Sequence, residues 1–238
     1  MKPVIPHEHG GWAMLTVPFL LGTFAGDPGW GHLLLFLAWL MFYLFTYSFK
    51  EWIKRQRRES RFVRWAVIYS VLGLCFLIIP LKNEPSLVWL APLLCISFVM
   101  HLWHVKRKNE RAMTNNVGAV HAFSVGAVAA CVFGTGKWDV SALFVYVHSA
   151  VYYLGSVFFV KSILREKNNP RWMGYAKTYH WLMLPIPALF GQPLLFIPFL
   201  FSLVRLYRWG GKPLQPIRIG MIEFANSAQF LILSVWLL

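Results

Sequence analysis

The sequence predicts an all-α protein that crosses a membrane about nine times. Three observations carry that expectation: apolar runs of bilayer length, very few charges, and basic residues confined to alternate loops. Of the 238 residues 58% are hydrophobic and 13% charged, and the mean hydropathy is +0.53. A soluble domain of this size needs far more charged surface. The apolar runs reach the roughly 17–25 residues that a tilted helix needs to cross hydrocarbon. Twelve Trp and nine Tyr suit a chain with two membrane–water interfaces. No polar stretch is long enough to fold separately, so residues 1–238 read as a single transmembrane domain with a short N-terminal segment, 1–10.

Charged breaks between apolar runs place spans at 11–26, 32–48, 64–81, 86–105, 117–134, 141–164, 174–191, 193–207 and 217–238. Only Lys2 stands ahead of the first, behind an acidic, His-bearing stretch, so it reads as a retained helix and not a cleaved signal peptide. Gly22 and Gly26 form a small-xxx-small pair suited to close helix packing. Only Gly191, Gln192 and Pro193 separate the seventh and eighth spans, and Pro185, Pro187 and Pro198 also interrupt helical hydrogen bonding there. A tight hairpin gives nine spans; one kinked helix gives eight. No inverted repeat or matched pair of broken helices is evident. Cys75, Cys95 and Cys131 fall inside apolar runs without motif spacing and read as small, buried, reduced side chains.

All but Lys82 and Lys137 of the 23 Lys and Arg lie at the N-terminus or around the loops after spans two, four, six and eight. Arg205, Arg208, Lys212 and Arg218 count with the last of these loops. The two exceptions sit in short opposite loops beside Glu84 and Asp139. This one-sidedness predicts a multi-pass protein of the cytoplasmic (plasma) membrane with a cytoplasmic N-terminus. A net charge of +14 also raises nucleic acid as a partner. No nucleic acid is expected, because the cations punctuate apolar spans instead of lining one folded face.

Ionisable groups within or at the edge of spans are costly and usually mark a pathway or site. His101 and His104, spaced i, i+3, share one helix face near the basic end of span four. Such a pair can hold a metal or haem, which is the alternative reading here; interfacial histidines more often bond headgroups or backbone, and no metal or other cofactor is predicted. His121 begins span five, and His180 lies one to two turns into span seven. Glu223, about two turns into span nine, is either the partner of an Arg or Lys or a substrate-side group. Lys50 and Lys161 stand at span ends, where snorkelling is the common behaviour. The stretch from Pro6 to Met14 flanks Glu8 with His7 and His9 and then places Gly10 and Gly11 where a helix enters the membrane. An acid beside imidazoles suits proton transfer or a polar headgroup.

His7-Glu8-His9-Gly10-Gly11-Trp12-Ala13-Met14, with 106–111 and then Asn115-Asn116-Val117-Gly118, resembles the YwiC-like family of bacterial membrane proteins along most of the chain. That family implies no established biochemical activity. More distantly, the span number, inside N-terminus and polar loops after spans two, four and six resemble the UbiA-type prenyltransferases, which implies a UbiA-like bundle and a transferase ancestry. In that superfamily, Asp-rich motifs at the end of span two and in span six hold magnesium and a prenyl diphosphate. The equivalent stretches, 47–54 and 155–161, contain no aspartate, so the usual two-ion clamp cannot be assembled.

The expectation is therefore a protein that binds or modifies an amphipathic, anionic or isoprenoid-type lipid in a cavity opening to the cytoplasm. Lys50, Arg107 and Lys161 would meet the headgroup as point charges or forks. Asn115 and Asn116 would orient it, and His7, Glu8, His9 and Glu223 would supply proton transfer. A small-molecule or ion transporter and a haem- or metal-handling protein are the alternatives.

Overall fold

The computed structural model describes residues 2–6, 9–55 and 58–238. Among them the chain forms nine α-helices: α1 (His9–Ala25), α2 (Gly31–Lys54), α3 (Ser60–Asn83), α4 (Ala91–Lys106), α5 (Met113–Thr135), α6 (Val140–Leu164), α7 (Pro170–Leu182), α8 (Ile197–Trp209) and α9 (Pro216–Leu237). Short 3-10 turns precede α4 (Pro85–Leu90) and lie between α7 and α8 (Ile186–Phe190 and Pro193–Phe196). No strand occurs among the described residues. Six stretches are long and apolar enough to cross a membrane: α2, α3, Pro85–Lys106, α5, α6 and α9. Helix α1 is apolar but shorter. The protein is a polytopic helical bundle, as the apolar runs predict.

The seventh and eighth segments are separate arms, which decides for a hairpin over one kinked helix. Helices α7 and α8 have 13 residues each, a rise of only about 20 Å. Their adjoining 3-10 turns add about 8–10 Å, so each arm approaches the ~30 Å of a bilayer core. Proline explains the change of helix type, because each ring removes an amide donor and clashes with the preceding turn. Pro187 and Pro193 each lie within the first two positions of a 3-10 turn. Gly191 joins the two turns at φ +75°, a left-handed conformation that costs a glycine nothing. Each arm is thus one α-helix with a 3-10 turn at its hairpin end, where the sequence places Pro185, Pro187 and Pro198.

Local chemistry fixes other ends. Asp139 accepts from the amides of Ser141 and Ala142 at 2.9 and 3.3 Å and so caps α6. Asn169 accepts from the Trp172 amide at 3.3 Å, with Pro170 opening α7 behind it.

Helices α5 and α6 form the centre. Over their most apolar windows 56% of each is buried, against 22% for α3 and 17% for the stretch ending in α4. The outer two present Val67, Val71, Leu74 and Ile78, and Ile96 and Val99, on the bundle surface, as lipid-facing helices should. Cys75 and Cys95 lie exposed on those same outer helices and only Cys131 is buried, which corrects the expectation of three buried thiols. All three are free.

Close approach to α5 organises the rest. Helix α1 lies along it, and a Cβ at Gly22 would collide with the backbone of Ala127. A Cβ at Gly26 would come to 3.0 Å from the Cys131 carbonyl oxygen. His32 at the start of α2 reaches the Ala130 carbonyl from its Nε2 at 3.0 Å. Helix α2 then packs along α3. Residues 2–6 run across these two helices: Arg61 donates to the carbonyls of Lys2 and Pro3 at 3.1 Å, and Tyr69 donates to that of Val4 at 3.1 Å.

Replacing Gly22 by leucine should destabilise the bundle by about 1–3 kcal/mol through overpacking. Gly220, which has open space at its Cβ position, should accept alanine with a gain of about 0.5–1 kcal/mol. Thermal unfolding in detergent checks both.

Candidate functional site

The basic ends of α2, α4 and α5 converge on one polar cluster. The helical period puts Lys50, Glu51 and Lys54 on neighbouring turns of α2. Lys54 pairs with Glu110 at 2.9 Å, while Lys50 lies 3.9 Å from Glu110 and 4.0 Å from Glu51. Glu110 sits in the short turn between α4 and α5, where Asn115 donates from Nδ2 to its backbone carbonyl at 2.7 Å. The Asn115 Oδ1 faces His101 Nδ1 at 2.9 Å, so that nitrogen carries the proton. One turn on, His104 Nε2 meets Thr114 Oγ1 at 3.0 Å. Burial pulls the Glu110 pKa upward, but the Lys54 hydrogen bond and the charges of Lys50 and Lys54 outweigh it and hold the group below its ordinary value of 4.5.

His101 and His104 therefore each spend a ring nitrogen on an α5 side chain. Among the described residues no group of three or more His, Cys, Asp or Glu is arranged to hold a metal ion. Arg107 is exposed at the end of α4 with its guanidinium carbon 4.2 Å above the Trp103 ring. Asn116 is half-buried on the turn beside Asn115. Lys161 donates to the Arg111 carbonyl at 3.0 Å and lies 5.6 Å from the Trp172 ring centre. It therefore braces the 107–112 turn instead of lining the cluster with Lys50.

An apolar groove of about 720 Å³ runs along α4, lined by Cys95, Ile96, Val99, Met100 and Trp103 and ending at His104 and Thr114. Its polar end is thus the edge of the cluster just described, and Arg107 stacks on its lining residue Trp103.

His7 and Glu8 lie outside the described residues, as does the side chain of His9, which opens α1. The helix they lead into is well placed. Trp12 donates to the Pro6 carbonyl at 3.4 Å and packs edge-on against Tyr43, ring centres 5.8 Å apart. Gly11 leaves the space that the Tyr43 hydroxyl occupies.

Glu223 is elsewhere. It pairs with Arg205 of α8 and accepts from Ser156 of α6, away from Lys50 and Asn115. Arg205, counted as a loop cation in the sequence, is 2% exposed and stacks 4.3 Å above the Phe159 ring. Around the pair, Asn226 donates to Tyr152 at 2.7 Å and to Ser202 at 2.9 Å, and Tyr152 donates to Ser227 at 3.2 Å. The polar residues expected to share one cavity thus divide between two clusters. The second was legible in part: Glu223, Asn226, Ser227 and Ser234 follow a helical period on α9, and Ser202 and Arg205 are three apart on α8.

Residues 5–131 match the YwiC-like protein family. The chain belongs to that family. Among relatives of this YwiC-like protein is Uncharacterized protein YwiC of Bacillus subtilis, 37% identical over 97% of this chain and 96% of its own length. A second, an Uncharacterized protein of Haemophilus influenzae, is 30% identical over 98% of each chain. No solved structure matches, and the UbiA-type likeness rests on helix number and loop placement alone. The family match spans α1 to most of α5, and so contains the whole Lys50–His101–Asn115 cluster.

Because the Glu110 pKa is lower folded than unfolded, its ion pairs contribute above the ordinary carboxylate value and lose that contribution as pH falls through the depressed one. Amides of residues 107–112 should accordingly exchange faster with deuterium as pH is lowered through that range, after correction for intrinsic rates. Lys54→Met should move the onset to higher pH.

Proposed function

We propose that this YwiC-like protein is a cytoplasmic-membrane protein, N-terminus inside, that binds an anionic amphipathic lipid of isoprenoid or similar chain. The observation that carries the reading is the α4 groove, apolar along its length and polar only at the end that meets the basic cluster. A flexible hydrocarbon chain gains from contact with Ile96, Val99 and Met100. A headgroup at the other end meets Arg107, whose stacking on Trp103 fixes the guanidinium plane and leaves its edges for an anionic oxygen.

Lys50, held at 3.9–4.0 Å from two carboxylates, supplies a second cation that a phosphate can draw away at small cost. Asn115 and Thr114 hold the two histidines in fixed orientations at the groove end. The orientation follows the side on which the cations accumulate, since cytoplasmic loops collect Lys and Arg.

The lipid retained through mild detergent purification tests this by mass spectrometry. An anionic, long-chain lipid should be enriched near one per protein. Val99→Trp, which fills the groove, and Arg107→Gln, which removes a charge-assisted contact, should each reduce retention about tenfold. Equal retention of neutral lipids by wild type and both variants contradicts the reading.

A further inference from the structure

The buried pair between α8 and α9 has spare bonding capacity. Arg205 gives only Nη1 to Glu223; its Nε and Nη2 have no hydrogen-bond partner among the described residues. Those two N–H groups run parallel along one edge of the guanidinium, the edge that matches the two oxygens of a carboxylate or similar oxyanion. Phe159 covers one face and fixes the plane. His180, fully buried on α7 and within electrostatic reach of Arg205, donates from Nδ1 to the Ala176 carbonyl at 2.8 Å. Its Nε2 lone pair therefore points away from that bond and has no partner either.

The two halves of the pair are also unequally enclosed: the Glu223 side chain is 14% exposed against 2% for Arg205, so Glu223 is the half with more room to move. His180 lies on α7 and Arg205 on α8, the two arms that the 3-10 turns join.

We propose that the α6–α9 half of the bundle holds a second binding site, in which Arg205 takes a small carboxylate-type anion in exchange for the Glu223 carboxylate, with one proton entering for each anion. The argument is one of charge. Arg205 is always cationic and buried, so it requires an anionic partner at every moment. A second anion beside ionised Glu223 would leave a net negative charge in an apolar interior. Binding therefore requires Glu223 to take up a proton from solvent and swing away as a neutral acid, while the incoming carboxylate occupies the Arg205 fork. Glu223 stands in for the ligand in the structure described.

Among the described residues, no other side chain facing Glu223 changes that balance. Ser156, Tyr152 and Tyr153 of α6 are neutral hydroxyls. From α7, His180 lies within electrostatic reach of Arg205, Tyr179 packs on His180 and donates to the Val151 carbonyl, and Lys177 lies over the Tyr207 ring. Asn226 lies one turn along α9 itself. Helix α1, which packs on α9, has no titratable residue beyond His9, and the Pro193–Phe196 turn has none.

The experiment is thermal unfolding of the intact protein in detergent, titrated with sodium acetate against sodium chloride at matched ionic strength, between pH 6 and pH 8. Acetate stays ionised across that range. Wild-type protein should be stabilised by acetate, with the half-saturating concentration falling about tenfold for each pH unit lowered while Glu223 is ionised. Glu223→Gln should bind acetate equally at every pH, and Arg205→Met should not respond to it. If Arg205→Met fails to fold, Glu223→Gln decides. The proposal is overturned if wild type does not respond to acetate, if its response does not change with pH, or if Glu223→Gln fails to bind acetate or keeps the wild-type pH dependence.

Discussion

Everything in this bundle depends on how closely other helices approach α5. In hydrocarbon no hydrophobic force drives helices together, so association rests on packing and on polar groups that need partners. Helix α5 answers with small residues: Gly118, Gly126, Ala127, Ala130 and Cys131 leave its backbone open to contact. Gly22 of α1 meets Ala127 at the backbone, Trp39 of α2 occupies the space beside Gly126, and Met100 of α4 fills that beside Gly118. Two helices, α2 and α4, are thereby set by the absence of side chains on α5, and α1 by the absence of its own at Gly22. The basic cluster of Lys50, His101 and Asn115 inherits its geometry from those contacts.

The two polar clusters obey different rules. In the first, the Glu110 carboxylate is shared between a half-exposed Lys54 and a more enclosed Lys50 at the longer distance of 3.9 Å. In the second, Arg205 and Glu223 lie within the bundle, where an ion pair gains little net stability yet cannot lose one partner. A network of Tyr152, Asn226, Ser202 and Ser227 surrounds that pair. Such an arrangement is poorly explained as reinforcement, since well-packed apolar side chains of similar volume would stabilise as much.

Much of the fold was legible in the sequence because bilayer thickness imposes a length on each apolar run and the cations mark alternate ends. Gly22 and Gly26 announced a close contact by spacing alone. The sequence concealed which polar residues meet. Glu223 and Lys50 were expected in one cavity because both lie toward the basic ends of their spans, but depth does not specify which side of a helix a residue takes. Arg205 was read as a loop cation because a run of basic residues follows it; its burial depends on where α8 begins, and that is set by Pro193, Pro198 and the 3-10 turn. The groove along α4 has no linear signature, because its polar end is completed by Thr114 of the next helix.

The pairing of α1 with α5 also has a consequence in time. Some 98 residues separate His32 from its partner Ala130, and at the usual ~5–20 residues per second of synthesis α5 emerges roughly 5–20 s after the start of α2. Throughout that interval the small-residue face of α1 has no helix to receive it. The bond from Tyr69 to the Val4 carbonyl becomes available much sooner, with α3. The N-terminal segment is therefore fastened to α3 first, and α1 is held near its eventual position before the helix that it packs against exists.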